Sequence, residues 1–324
     1  MIENKLPESS SKRYLNETVL LTGAGGTIGS EILRKIDAKK IIAIDISEYS
    51  IYKLQREFGS KIEYIVGDIS DKKLIDIIFE KYKIDYIFNA AAYKHVDRME
   101  NENNRYSVIK NNIIGILNLC EKLNTGVKQL IHISSDKAVN PTNYMGFTKL
   151  WCEKIVQHYS SNTKSKVSIV RFGNILKSSG SFMETLEWQY KNGLPITITD
   201  SRMKRYFMTI NDAAQLILDT VDLESGNHIY ILDMGKQFSI DSLVKNIVGE
   251  YNVEYIGIRP GEKLEEELYY EYEILETTKN PLIKKIKFIT TNFNNSINSL
   301  LVEMNREKIC TKKLTEIITT ITTS

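Results

Sequence analysis

The segment Leu20–Ile32, LLTGAGGTIGSEI, sets Gly23, Gly26 and Gly29 at GxxGxxG spacing between an apolar run and an amphipathic stretch. Read as strand, turn and helix, the spacing has a physical purpose. The first glycine permits the tight turn, the second lets the backbone approach a pyrophosphate at the helix N-terminus, and the third lets helix pack on strand. A glycine triplet alone is a weak signal. The strand before it, the helix after it and an acid further on make it a dinucleotide-binding turn. That acid is Asp45, 22 residues after Gly23, where a carboxylate accepts hydrogen bonds from the adenosine ribose and repels a 2′-phosphate. NAD is thus favoured over NADP. Thr27, Ile28 and Ala90 are further candidate cofactor contacts, and Asp68, ending the third strand, is placed to touch the adenine edge. Both acids also have a simpler reading as helix N-caps.

Outward from this turn the same rhythm repeats. Apolar, β-branched runs at 18–23, 40–45, 62–67, 86–91, 129–134 and 168–173 alternate with stretches whose apolar residues recur at three- and four-residue steps, as in Asp71–Tyr82 and Arg105–Leu123. The pattern predicts an α/β fold, a Rossmann-like doubly wound parallel sheet with ligands at the carboxyl ends of its strands. Beyond Asn174 glycines, serines and isolated short strands such as 195–200 break the rhythm, predicting a smaller C-terminal substrate-binding lobe. The expected organisation is a flexible arm over 1–16, an NAD-binding domain over 17–180, and a lobe from 181–205 and 236–324. The first domain also draws on about 206–235, because 227–235 reads as a core strand.

Composition narrows the partners. With 43 basic and 41 acidic side chains in 324 residues there is no global field to draw nucleic acid. Cys120, Cys152 and Cys310 stand far apart without metal spacing and read as thiols of a reducing compartment. His95 has no neighbouring histidine to support a metal site, and none is predicted. No run approaches the roughly 18 apolar residues of a membrane span, and the N-terminus lacks an apolar signal core. A cytoplasmic protein without a membrane partner is expected.

The segments TGAGGTIGS (22–30), NAAAYKHV (89–96), NNIIGILNL (111–119), SSDKA (134–138), RFGN (171–174) and RPGEK (259–263) together resemble the extended short-chain dehydrogenase/reductase superfamily. Within it the chain looks like the nucleotide-sugar 4,6-dehydratases that act on UDP-N-acetylglucosamine, over about residues 17–270. Many of these carry an N-terminal membrane region, and this chain resembles the soluble form. The resemblance implies conversion of UDP-N-acetylglucosamine to a UDP-2-acetamido-2,6-dideoxy-4-hexulose. C4 is oxidised by NAD, water is eliminated across C5 and C6, and the hydride returns to C6, with C5 retained or inverted. Homo-oligomerisation is common among relatives, and the helix bearing Lys149, Leu150, Trp151 and Ile155 has apolar surface to offer.

In this superfamily a tyrosine deprotonates the hydroxyl being oxidised, and a lysine one helical turn later assists it. Residues four apart share a helix face and residues five apart diverge. Tyr144 is five residues before Lys149, whereas Met145 is four before it. Met145 cannot carry a proton, and one branch of these dehydratases has methionine at this position. Tyr144 then reads as a packing or rim residue. By the same resemblance Asp136 is the acid for the departing C6 hydroxyl and Lys137 the C5 base, with Ser135 and Lys149 completing the catalytic set. Lys137 in this role requires a depressed pKa. The acceptor of the C4 hydroxyl proton stays open among Asp136, Lys149 and an ordered water.

Similar motifs line the sugar and diphosphate in the family, which makes Lys94, Asn174, Arg205 and Arg259 candidate substrate contacts and Glu262 a candidate ribose contact. Arginine suits the task because its guanidinium grips phosphate bidentately. Two other readings stand beside the dehydratase: an epimerase or 4-ketoreductase on nucleotide sugars, which would need the missing tyrosine, and a non-catalytic dinucleotide-binding sensor.

Overall fold

A computed structural model describes residues 14–323 except 179, 224–225, 250–251, 290–292 and 307–309. Strands β1 (Tyr14–Thr22), β2 (Ala38–Asp45), β3 (Ile62–Val66), β4 (Tyr86–Asn89), β5 (Gln129–Ile133), β6 (Lys166–Arg171), β7 (His228–Leu232), β8 (Glu276–Thr277) and β9 (Ile283–Lys287) form one sheet. Its order is β8-β9-β7-β6-β5-β4-β1-β2-β3. The pairs from β3 through to β7 are parallel, and β9 runs antiparallel to both β7 and β8. Runs such as Val19–Leu21 and Ile42–Ile44 are fully buried, as expected of parallel strands covered by helices on both faces. The strand order reverses between β1 and β4, where Thr22 pairs with Asn89, and this opens the crevice in which such folds bind ligands.

The connecting helices start where the sequence supplies caps. Ser47 accepts from Ser50 N at the head of Glu48–Phe58, and Asp71 accepts from Lys73 N and Leu74 N at the head of Lys72–Lys81. The helical run 102–120 is interrupted by a π-helical segment, Ile109–Ile114, whose Asn112 is buried.

Two boundaries differ from the sequence expectation. β1 begins at Tyr14, inside the segment expected as an arm, because the Tyr14 ring packs edge-on against Tyr86 and Phe88 at 5.1 and 6.1 Å. Residues 1–13 of that arm lie outside the described residues. Within the segments expected as a lobe, Leu186, Ile196, Ile198, Met203, Ile240 and Val244 form a separate small core, whereas the chain beyond Leu268 returns to the main one. Ile283 and Ile286 extend the sheet beside β7, Phe293 stacks edge-on against Trp151 at 4.7 Å, and Trp151 Nε1 donates to Ile318 O at 3.0 Å. The apolar face of the helix Tyr144–Ser160 is therefore covered by this chain's own C-terminal helices, Asn294–Met304 and Thr311–Thr319. None of the described helices is long and apolar enough to cross a membrane.

Candidate active site

The glycine turn after β1 is shaped by close backbone approach. Gly23 has φ +64°, and a Cβ there would sit 2.6 Å from Ala91 N, so no larger residue fits beside β4. The following helix, Thr27–Lys35, starts at Gly26 without a side-chain cap or an acid in its first turn. Gly26, Thr27, Ile28 and Gly29 line the main cleft, which leaves the helix N-terminus, with its uncapped N–H groups, open to an anion.

Beside it a smaller hollow is walled by Gly23, Asp45, Asp68, Ala91 and Asn111, and the two share Gly26, Ala90, Ala92 and Tyr93 as one trough. Asp45 accepts from Gly25 N and Ser47 N, each at 2.9 Å, and so pins the glycine turn to the end of β2. Asp68 accepts from Ser70 N at 2.8 Å and has Lys110 Nζ 3.9 Å away. Neither acid is the helix cap, the role taken by Ser47 and Asp71. A trough with an uncapped helix end in its middle and a carboxylate at its far wall fits an extended dinucleotide.

The main cleft, about 510 Å³, continues from the trough to the ends of β5 and β6. Asn143 caps the helix Tyr144–Ser160 by accepting from Gly146 N at 2.8 Å, which fixes the helix phase. Met145 and Lys149 consequently both line the cleft. Lys149 is buried and donates to Ile133 O at 3.1 Å, and burial holds its ammonium below the usual lysine range. Tyr144 is buried outside the cleft, its ring beneath the Arg105 guanidinium at 5.1 Å. The π-helical segment contributes Asn112, whose side chain accepts from Tyr93 N at 2.8 Å and donates to Thr148 Oγ1 at 3.1 Å, tying the cleft wall after β4 to the helix carrying Lys149.

Ser135, Asp136 and Lys137 follow β5 in a single 3-10 turn. Ser135 and Lys137 line the cleft, whereas Asp136 is fully buried beneath it. Ser135 Oγ donates to Asp136 Oδ1 at 2.8 Å, and Lys137 Nζ donates to the same oxygen at 3.0 Å and to Asn174 Oδ1 at 3.2 Å. On its far side Lys137 meets Glu266 Oε1 at 3.7 Å. The expectation of a depressed Lys137 pKa is corrected here. Burial lowers it, but the carboxylates of Asp136 and Glu266 more than offset burial and hold the ammonium above the usual lysine range.

The substrate candidates separate into two groups. Lys94 and Asn174 line the cleft, and Lys94 Nζ reaches Ser178 Oγ at 3.3 Å. Arg205 is buried behind Glu266 with its guanidinium spent on the carbonyls of Lys204, Leu264 and Lys263 at 2.7, 3.1 and 2.9 Å. Arg259 and Glu262 close a local turn, where Glu262 N donates to Arg259 O at 3.0 Å, and neither is among the cleft residues.

Sequence reasoning missed Glu266, which stands in the run KLEEE and resembles surface charge there. It also missed Asn112, although two adjacent asparagines inside an apolar helical run signal a polar task.

A family profile described as "Polysaccharide biosynthesis protein" matches residues 19–288. The chain belongs to that family. It belongs with it to the extended short-chain dehydrogenases/reductases. Among curated members of similar sequence, this family protein is 38% identical over 320 residues to the capsular polysaccharide biosynthesis protein CapD of Staphylococcus aureus, covering 92% of this chain and 53% of that one. The chain thus spans about half the length of that relative. It is 31% identical over 307 residues to the UDP-N-acetylglucosamine 4,6-dehydratase (inverting) of Campylobacter jejuni serotype O:23/36, covering 89% of each. The solved structure of Pen from Bacillus thuringiensis superposes with a TM-score of 0.77 at 32% identity, over 85% of this chain and 87% of that one.

Proposed function

We propose that this family member is a nucleotide-sugar 4,6-dehydratase that uses NAD, acts on UDP-N-acetylglucosamine, and does its acid–base work with Asp136 and Lys137 instead of a tyrosine. One observation carries the reading. Methionine fills the cleft position one turn before Lys149, while a lysine–carboxylate pair 3.0 Å apart sits at the cleft floor. The name of a relative that is 31% identical supports the substrate class. The carboxylate of Asp45 at the trough wall favours NAD over its 2′-phosphorylated form.

A nicotinamide dinucleotide held by the glycine turn and Lys149 would supply the hydride acceptor for C4 and the hydride donor for C6. The remaining steps belong to the chain. A ketone at C4 acidifies the C5 proton, and Lys137 in its amine form removes it. The C6 hydroxyl leaves as water with a proton from Asp136, and when the hydride returns to C6 a proton from solvent adds at C5, balancing the C4 hydroxyl proton released to solvent as the ketone forms. Because Asp136 is buried, the proton passes through the Ser135 hydroxyl, which faces the cleft and is hydrogen-bonded to Asp136 Oδ1. Asn174 steadies Lys137, and Lys94 offers a cation to the sugar or its diphosphate. Incubation with UDP-N-acetylglucosamine and NAD should give a product lighter by one water in mass spectrometry. Unchanged substrate, or an isomer of equal mass, would overturn the reading.

A further inference from the structure

Glu266 lies outside the cleft, yet it is only 5% exposed and surrounded by charge. Its Oε1 stands 3.7 Å from Lys137 Nζ and 3.9 Å from Arg205 Nε. Arg205 cannot swing away, because three backbone carbonyls hold its other nitrogens. On the opposite side of Lys137, Asp136 is 0% exposed and its Oδ2 has no hydrogen-bond partner. The other charges facing the group are Lys94, which acts on Lys137, and Lys263, which acts on Glu266 and donates to Val139 O at 2.8 Å.

We infer that Glu266 is the counter-ion of Lys137, a positioning residue that keeps it an ammonium between turnovers and anchored beside Asp136 and Asn174. The catalytic consequence rests on the dehydratase reading. In that reaction Lys137 starts as the amine and takes the C5 proton, while Asp136 starts as the acid and gives one up to the departing hydroxyl. The step ends with ammonium beside carboxylate, and the two groups stand 3.0 Å apart. One proton passing from Nζ to the Asp136 carboxylate restores the starting pair, while C5 takes a proton from solvent as the hydride returns to C6, matching the C4 hydroxyl proton that solvent takes up when the ketone forms. Glu266 opposes that return because its charge favours the ammonium, and Arg205 tempers it. Burial and the Asp136 charge push the Glu266 carboxyl up, with Lys137 and Arg205 pulling it down.

The test is the pH dependence of Lys137 acetylation by trace acetic anhydride, read by peptide mass spectrometry on the full chain for wild type, Glu266→Gln and Glu266→Asp. The reagent needs only a free amine, so the readout does not require the substrate. An opposite charge within about 4–6 Å shifts a pKa by about 1–3 units. The Lys137 midpoint should therefore fall by about one unit or more in Glu266→Gln and by less in Glu266→Asp, while the exposed Lys191 stays fixed. An unchanged midpoint in a Glu266→Gln protein with wild-type circular dichroism overturns the proposal, as does an unchanged midpoint in Glu266→Asp if only that variant folds. With UDP-N-acetylglucosamine, the acid limb of kcat/KM for dehydration should move to lower pH by the same amount in Glu266→Gln. A labelling shift in a protein that removes no water would keep the counter-ion and sink the dehydratase reading.

Discussion

Met145 and Lys149 lie one turn apart on the same face of the helix Tyr144–Ser160, and both line the cleft. Tyr144, five residues before Lys149, faces Arg105 instead. Burial pushes its phenol up to about 12, which keeps the hydroxyl neutral and unsuited to accept a proton. Tyr144→Phe should keep wild-type kcat and lose no more than about 1 kcal/mol in a denaturant melt, the scale of one hydrogen-bonding group. A folded but inactive variant would return the tyrosine to the chemistry.

Gly23→Ala tests the cofactor turn. The added methyl would press on Ala91 N and Ala90 O at 2.6 and 2.7 Å, at a left-handed φ that alanine disfavours. NAD affinity, followed by titration, should fall at least about tenfold, which is about 1.4 kcal/mol. Wild-type affinity would mean that the turn does not carry the dinucleotide.

Behind the turn 135–137, Ser134 donates to Glu153 at 2.5 Å, Arg171 grips Glu153 at 2.7 and 2.9 Å, and reaches Glu273 at 2.8 Å. All three ionised groups are buried. Arg171→Met leaves two carboxylates uncompensated and should cost about 3–5 kcal/mol in urea unfolding. The segment after Leu268 should loosen with it, since Tyr270 Oη donates to Ala138 O at 3.1 Å and Arg171 lies over its ring. A loss below about 1 kcal/mol would mean that the ion cluster is solvated.

His132, at the centre of the sheet, shares a hydrogen bond with Asn89 at 3.0 Å, and Asn89 Oδ1 accepts from Thr22. Burial first, and the Lys149 charge second, hold the imidazole well below its ordinary pKa. The unfolded chain takes up a proton near pH ~6.5 and the native state does not, so stability should fall as pH drops below that value. The slope from this group is up to about 1.4 kcal/mol per pH unit. Unfolding free energies between about pH 5 and 7 should therefore slope less steeply in His132→Gln. Equal slopes would show that His132 titrates alike in both states.

Most of the parallel strands were legible because they are apolar runs long enough to be buried on both faces, and the Met145 assignment came from helix geometry applied to the tyrosine–lysine pair that the family resemblance implies. What stayed hidden depends on contacts far apart in sequence. Trp151 reads as spare apolar surface until Phe293 and Ile318 arrive more than a hundred residues later to cover it. Arg205 reads as a phosphate ligand by residue type, but the carbonyls at 263–264 occupy it. Glu266 is indistinguishable from its neighbours Glu265 and Glu267 in sequence, and only the fold buries it against Lys137.

The most direct test of the central claim is turnover of UDP-N-acetylglucosamine in D₂O by wild type and Lys137→Ala, with products read by mass spectrometry and proton NMR. Wild type should release a product lighter by one water that carries a solvent deuteron at C5. Lys137→Ala should still bind NAD and form no such product. Loss of water at the wild-type rate in Lys137→Ala, or a wild-type product with its C5 proton retained, would contradict the account.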